Sequence, residues 1–482
     1  MPRAFDVIVI GGGSAGYAAA RTAVARGASV AVVEGGREVG GLCILRGCMP
    51  TKALLESSTR WHDILRAGEF GLKVRPGAPD LKKIVARKDR LIANFAAYRR
   101  KQLEKAKFVF VRGMASFLNP HEIEVRWKGR REVLHGKAFV LAAGSEIAPV
   151  PVPGLDQAKF LTSDSAIHLK KLPKSLIVLG GGAVAVEAAQ FYARLGTKVT
   201  VLQRSGHLVK EHDDDVSAVL EEAFAEEKIN VITKTRLVKV SRARGGKAVV
   251  FEHRGRKKTV VAQEILYALG RRPALGGLAL EKAGIEVSDG TVRVGASLQT
   301  SSSHVFAAGD MTGLHEVVHI AVQQGELAGY NAALVGQAHS GNLRGIDYRL
   351  KTLVIFTDPE IALVGVNEKE AKTRGISYLT ASFPFDDHGK SMIMGVRRGF
   401  VKILAEKTRG EIIGAQIVGP HAGDLIHELI AIMRYRGTVK DLADLPHYHP
   451  TLAEILTYPA EDILEQLPKV PVNGAVAMTA LV

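Results

Sequence analysis

Cys43 and Cys48 are the only two cysteines in 482 residues, and they stand five positions apart in the stretch GGLCILRGCMPTK, Gly40 to Lys52. Two thiols cannot form a stabilising disulfide framework in a chain this long, so redox chemistry, metal binding or no chemistry remain open. In a regular α-helix such residues point about 140° apart, with Cα atoms roughly 8 Å distant, beyond the approximately 7 Å of a relaxed disulfide. If the two bond, ordinary helix must break at Cys43, and Gly41, Gly47 and Pro50 allow that distortion. Pro50 suits the first turn of a helix running from Thr51 to Glu56. Cys48 then lies by the positive end of the helix dipole, which stabilises a thiolate, and Lys52 adds charge one turn on. A redox dithiol is the leading reading. A metal site would need two further ligands, and two inert buried thiols are the plain alternative.

A departing thiol needs an acid–base partner. Near the C-terminus stands HYHPTLAE, His447 to Glu454. Pro450 at the start of a helix leaves His449 just outside it, with Glu454 in the opening turns. The carboxylate can then reach one imidazole nitrogen, fix the tautomer and support the imidazolium. Among 16 histidines the Pro-Thr-x-x-Glu frame singles out His449, and His447 is read as structural.

These groups need elements to hold them. Asp6 to Ile10 reads as a strand ending in a glycine turn with Gly11, Gly13 and Gly16, then an alanine-rich helix and a second strand ending at Glu34. This is a βαβ unit whose glycines let a backbone approach a pyrophosphate at a helix N-terminus, with Glu34 placed for ribose hydroxyls. The pattern returns from Ser175, with Gly180, Gly182 and Ala185 at the turn, and the spacing from Gly11 to Glu34 equals that from Gly180 to Gln203. Two such units mean two nucleotide sites. In the second, Gln203 replaces the acid and Arg204 and Lys210 follow, a set that would pair with a 2′-phosphate. NADPH is therefore expected, with NADH possible because Gln203 can still hydrogen-bond a ribose. Asp310, at the end of the strand from Val305, is placed to hold a second polyol portion of the first cofactor.

The expected architecture is α/β. Residues 1–149 and 271–345 form one dinucleotide-binding domain, 150–270 a second, 346–467 an α+β domain, and 468–482 a loosely held tail. The boundary rests on the proline-rich linker Pro149 to Pro153.

At 46% apolar and 24% charged residues, the composition is that of a globular protein, and no apolar run reaches the roughly 18 residues of a membrane span. The first strand runs directly into a glycine motif without a cleavage-like segment, so a cytoplasmic location is expected. The formal charge is +16, yet the basic residues are scattered, with short clusters such as Arg254 to Lys258. No helix-turn-helix, zinc-finger or RNA-binding pattern accompanies them, so a solvated basic surface is favoured over a nucleic-acid or anion-binding role.

Taken together, these motifs resemble the class I pyridine nucleotide–disulfide oxidoreductases over nearly the whole chain. GGLCILRGCMPTK looks like that family's redox-disulfide motif, HYHPTLAE like its C-terminal catalytic motif, LAAGSEIAP like its hinge and VFAAGD like its second flavin motif. ALGRRP is similar to the segment closing the NAD(P) domain, and FTDPEIALVG to the opening of the interface domain. The resemblance implies FAD in the first half, with Gly41, Lys52, Gly113, Ala115, Ala143 and Gly144 joining Gly11, Gly13, Gly16, Glu34 and Asp310 around it. It implies NAD(P) in the second, with Glu187 and Gly270 added to Gly180, Gly182, Ala185, Gln203, Arg204 and Lys210. It also implies a homodimer in which His449 and Glu454 serve the other subunit's cysteines, Cys43 being the thiol that attacks substrate and Cys48 the one against the flavin. Lys52 would lie near the flavin, paired with Glu187. The implied activity moves electrons between NAD(P)H and a disulfide or dithiol, closest to dihydrolipoyl dehydrogenase. A small-disulfide reductase and a metal-ion or quinone reductase are the alternatives. The usual Ala-Thr-Gly hinge reads Ala142-Ala143-Gly144 here, and the tail lacks the cysteine pair of mercuric reductases, which argues against mercury as the task.

Overall fold

The computed structural model describes residues 2–339 and 341–468 and divides into two compact units, 1–210 with 224–347 and 211–223 with 348–482. The tail expectation falls on residues 469–482, outside the described residues.

The first unit is built on two large sheets, one wholly parallel and one with parallel central strands and an antiparallel edge. A central parallel strand is covered on both faces, so it reads as a continuous apolar run rather than an alternation. Strand β1 (Arg3–Ile10) fits this, with Val7, Ile8 and Val9 wholly buried. Helix α1 (Ser14–Ala25) follows and then β2 (Val30–Glu34), which pairs in parallel with β1. With β3 (Val109–Arg112), β4 (Met114–Asn119), β5 (Glu122–Trp127) and β6 (Arg130–Leu141), the sheet order is β3-β2-β1-β6-β5-β4, and Val305–Ala307 adds to β6. The alanines of α1 let the helix Val318–Gly336 approach closely. A methyl at Gly325 or Gly329 would lie 2.2 Å from the carbonyl oxygen of Ala15 or Ala19.

The second nucleotide frame repeats the first. Strand Ser175–Leu179, helix Ala183–Arg194 and strand Lys198–Leu202 match the order of β1, α1 and β2, and the helices, 12 residues each, and the second strands, 5 residues each, match in length. Their parallel sheet runs Asn230–Ile232, Lys198–Leu202, Ser175–Leu179, Glu264–Tyr267, Leu161–Thr162.

The second unit is a five-stranded antiparallel sheet, ordered Thr352–Ile355, Glu360–Gly365, Ile412–Gly419, Phe400–Glu406, Tyr378–Pro384. Helix Ala422–Arg434 buries Ile426, Leu429 and Met433 in that unit's core. Lys402, on the strand Phe400–Glu406, is buried, and its Nζ lies 2.9 Å from Asp213, 2.8 Å from Asp215 and 2.9 Å from Glu368. That clasp explains why 211–223, inside the 150–270 span read from the sequence, clusters here. Among the described residues no helix is long and apolar enough to cross a membrane.

Candidate active site

The cysteine stretch forms two helices, α2 (Gly41–Leu45) and α3 (Cys48–Arg66), broken at Arg46 and Gly47. Regular helix is thus interrupted between the thiols. The second helix starts at Cys48, three residues before the expected Thr51, because Pro50 fits any position of a first turn whose N–H groups are unpaired. Gly41 has φ +76°, and a methyl there would lie 2.7 Å from the Gly13 Cα, so the cysteine segment is pressed onto the first glycine turn.

Both thiols are half-buried and hydrogen-bonded to one another. That bond lowers the Cys48 thiol to about 7, with Lys52 helping and burial opposing. The same bond, together with burial, pushes Cys43 up. Lys52 Nζ donates to both carboxylate oxygens of Glu187 at 2.8 Å, beside an apolar cleft lined by Leu54, Leu55, Val184, Ala188 and Phe191.

In the second unit, Thr451 caps a short 3₁₀ helix, Leu452–Leu456. The expected placement of Pro450 at the helix start is corrected: Pro450 precedes the cap. His449 Nδ1 and Glu454 Oε1 are 2.8 Å apart, and Thr451 N–H donates to Glu454 Oε2 at 2.7 Å. Those two partners, the Thr451 amide first, hold the Glu454 carboxyl below its usual range. His449 is exposed, with its Nε2 free of that bond. His447 spends both ring nitrogens, on Glu428 Oε1 at 2.8 Å and the Leu445 carbonyl at 2.9 Å. His388, unmarked in the sequence, is buried within electrostatic reach of Glu454 and His449, its Nδ1 2.8 Å from Ser391 Oγ and its ring edge-on to Tyr458.

The first glycine turn is a cradle that side chains would fill. Gly11 has φ +111°, and a methyl there would lie 2.2 Å from the Ala142 carbonyl oxygen; one at Gly16 would lie 1.8 Å from that of Gly11. Glu34, buried at the end of β2, accepts from Gly12 N–H at 2.9 Å and Gly36 N–H at 2.6 Å. Gly113 N–H donates to the Glu34 carbonyl at 3.0 Å, and Ala115 turns its methyl into the core. Ala143 and Gly144 follow β6, with the Gly144 carbonyl accepting from Ala274. Asp310 lies in the 3₁₀ turn Gly309–Thr312 after the strand and accepts from Ser145 Oγ at 2.6 Å. Arg271 donates to Ser145 Oγ and to its carbonyl, each at 2.8 Å. Ser145 lies in LAAGSEIAP and Arg271 in ALGRRP, and neither stretch by itself signals their contact. A side-chain-free turn at a helix N-terminus, flanked by the Glu34 and Asp310 carboxylates, fits FAD.

In the second frame, Gly180 has φ +112° and a methyl would meet the Ala268 carbonyl oxygen at 2.3 Å. Gly182 caps the helix, and the methyl of Ala185 is buried where the first frame has Gly16. Gln203 turns inward: its amide group donates to Ser205 Oγ and its oxygen accepts from Arg204 N–H at 3.1 Å. It props the loop, leaving Arg204 and Lys210 exposed. Gly270 has φ +117°, and its carbonyl accepts from Ala148 at 3.1 Å.

Comparison with known proteins agrees with this geometry. Residues 5–325 match the family described as pyridine nucleotide-disulphide oxidoreductase, and residues 352–460 match its dimerisation domain. The dihydrolipoyl dehydrogenase of Thermus scotoductus is 36% identical, covering 96% of this chain and 98% of its own length. The mercuric reductase of Staphylococcus aureus is 34% identical over 93% of this chain and 81% of its own. The crystal structure of LpdA from Mycobacterium tuberculosis superposes with a TM-score of 0.85 at 28% identity, covering 96% of this chain and all of that one. With paired thiols, two nucleotide frames and a matching dimerisation domain, the chain belongs to the pyridine nucleotide–disulphide oxidoreductase family.

Proposed function

We propose that the protein is a homodimeric, FAD-dependent dithiol–disulfide oxidoreductase of the dihydrolipoyl dehydrogenase kind, drawing on NADPH, with Cys43 and Cys48 as its redox pair. The observation that carries this reading is the thiol pair itself, Cys43 and Cys48 hydrogen-bonded to one another on a segment pressed onto the first glycine turn. Cys48 is lowered to about 7 and neighbours Lys52, while Cys43 is raised. Bound FAD supplies a two-electron relay between nicotinamide and the cysteine pair.

In the reducing direction, the Cys43 sulfur attacks a substrate disulfide, forming a mixed disulfide and releasing one thiol. His449 of the other subunit removes the Cys43 proton and passes it to the leaving thiolate. Cys48 thiolate then attacks the Cys43 sulfur, the second substrate thiol leaves, and the Cys43–Cys48 disulfide forms. Two electrons from the nicotinamide reduce that disulfide again. Dithiol oxidation runs the same steps backwards. Glu454 accepts from His449 Nδ1–H at 2.8 Å, which leaves the Nε2 lone pair to take up the Cys43 proton.

NADPH is favoured because Gln203 stands at the strand end where a carboxylate would repel a 2′-phosphate, with Arg204 and Lys210 exposed after it. A cytoplasmic location completes the proposal. Steady-state assays of the purified holoprotein with both nicotinamides, against dihydrolipoamide and a panel of small disulfides, test it. Turnover of dithiol or disulfide with a higher kcat/KM for NADPH is expected. No thiol–disulfide turnover with either nucleotide would contradict it.

A further inference from the structure

Helix α4 (Leu81–Glu104) carries eight basic side chains and only two acidic ones. It packs against α2, the short helix that holds Cys43. Leu103 is wholly buried, 3.6 Å from where a methyl on Gly12 would sit, so this face of α4 covers the first glycine turn. Arg99, four residues before, shares that face. Its guanidinium lies over the Tyr17 ring at 4.3 Å, in electrostatic reach of Cys43. Nε and Nη1 are buried with no hydrogen-bond partner among the described residues.

Buried guanidinium donors are costly when left unpaired. The groups acting most strongly on Arg99, after burial itself, are Tyr17, Cys43, Tyr98 and Arg21, none of them a carboxylate. A buried cation within electrostatic reach of the attacking thiol, with no carboxylate among the groups acting most strongly on it, is placed for an acid that arrives.

We propose that Arg99 is a specificity-determining residue that pairs with an oxyanion, carboxylate or phosphate, carried by the dithiol or disulfide substrate, so that anionic substrates are preferred over neutral ones. This rests on the dithiol–disulfide reading of Cys43 and Cys48. The net positive charge of α4 adds steering toward the same end, an effect that salt weakens.

Dihydrolipoate and dihydrolipoamide test it, because they share their thiols and differ only in carboxylate against carboxamide. With holoenzyme at low salt, kcat/KM should favour dihydrolipoate by about tenfold, the size expected of one charge-assisted hydrogen bond, and the ratio should shrink at high salt. Arg99→Leu should bring the ratio near one by raising KM for dihydrolipoate alone, and Arg99→Lys should keep part of the preference. Arg99→Gln and the wild-type salt series carry the test if the leucine variant does not fold. A wild-type ratio near one, or a preference that survives Arg99→Leu, overturns the proposal. So does loss of FAD from the variants with an unchanged ratio, which would assign the guanidinium to the cofactor's phosphates. Failure to oxidise either dithiol overturns the parent reading and this one with it.

Discussion

Lys52 holds the Glu187 carboxylate through both oxygens at 2.8 Å, joining the helix that carries Cys48 to the helix of the second nucleotide frame. Lys52 lowers the Cys48 thiol and Glu187 raises it. The two therefore act on the thiolate with opposite signs. Lys52→Met should move the Cys48 titration above about 7, and Glu187→Gln should move it below. In wild type the thiolate is present above that value and is lost as pH falls through it. Initial rates of iodoacetamide alkylation of the reduced enzyme, followed against pH, check both directions.

His449→Ala should reduce dithiol or disulfide turnover by about 10²- to 10⁴-fold, the usual contribution of a positioned acid–base group. Electron transfer from NADPH to a quinone acceptor needs no thiol proton and should persist nearly unchanged. Parallel assays with the two acceptors measure the split. Disulfide turnover surviving at wild-type rate would remove His449 from the mechanism.

Lys402 stands among Asp213, Asp215 and Glu368 with its side chain 4% exposed. Breaking such a cluster by removing one partner leaves buried charge uncompensated, at about 3–5 kcal/mol. Lys402→Met should destabilise the second unit on that scale, seen as a lower urea midpoint with an unchanged slope. A midpoint within error of wild type would show that the clasp is solvated.

His212 is buried in the same unit, and burial pushes its imidazole down to about 4, against the upward pull of Gln416 and Asp213. The unfolded chain takes up this proton near the free value of 6.5, the folded chain only near 4. The folded state thus binds fewer protons, and its stability is complete above pH 6.5 and falls between there and about pH 4. The loss amounts to about 3 kcal/mol at the acid end. His212→Gln should flatten the dependence of Tm on pH in that window.

The parallel frames were legible because buried parallel strands read as unbroken apolar runs and their glycines occur at matched positions. The Cys43–Cys48 pair and the His449–Glu454 dyad were legible because local spacing alone brings their partners together. Arg99, His388 and the Arg271–Ser145 contact were not. Each is brought to its place by packing between elements far apart in sequence, and on its own helix Arg99 reads as one more solvated charge. Gln203 shows the converse: it lies beside the second glycine turn, but Ser205 and Arg204 in its own loop claim its amide.

The proposed redox pair sets a Cys48 thiolate against bound flavin. Anaerobic titration of the oxidised holoenzyme with NADPH should, after two electrons, raise a broad absorbance near the long-wavelength edge of the flavin spectrum, and Cys48→Ser should lack it. If wild type bleaches directly without that band, or the serine variant develops it equally, the account is contradicted.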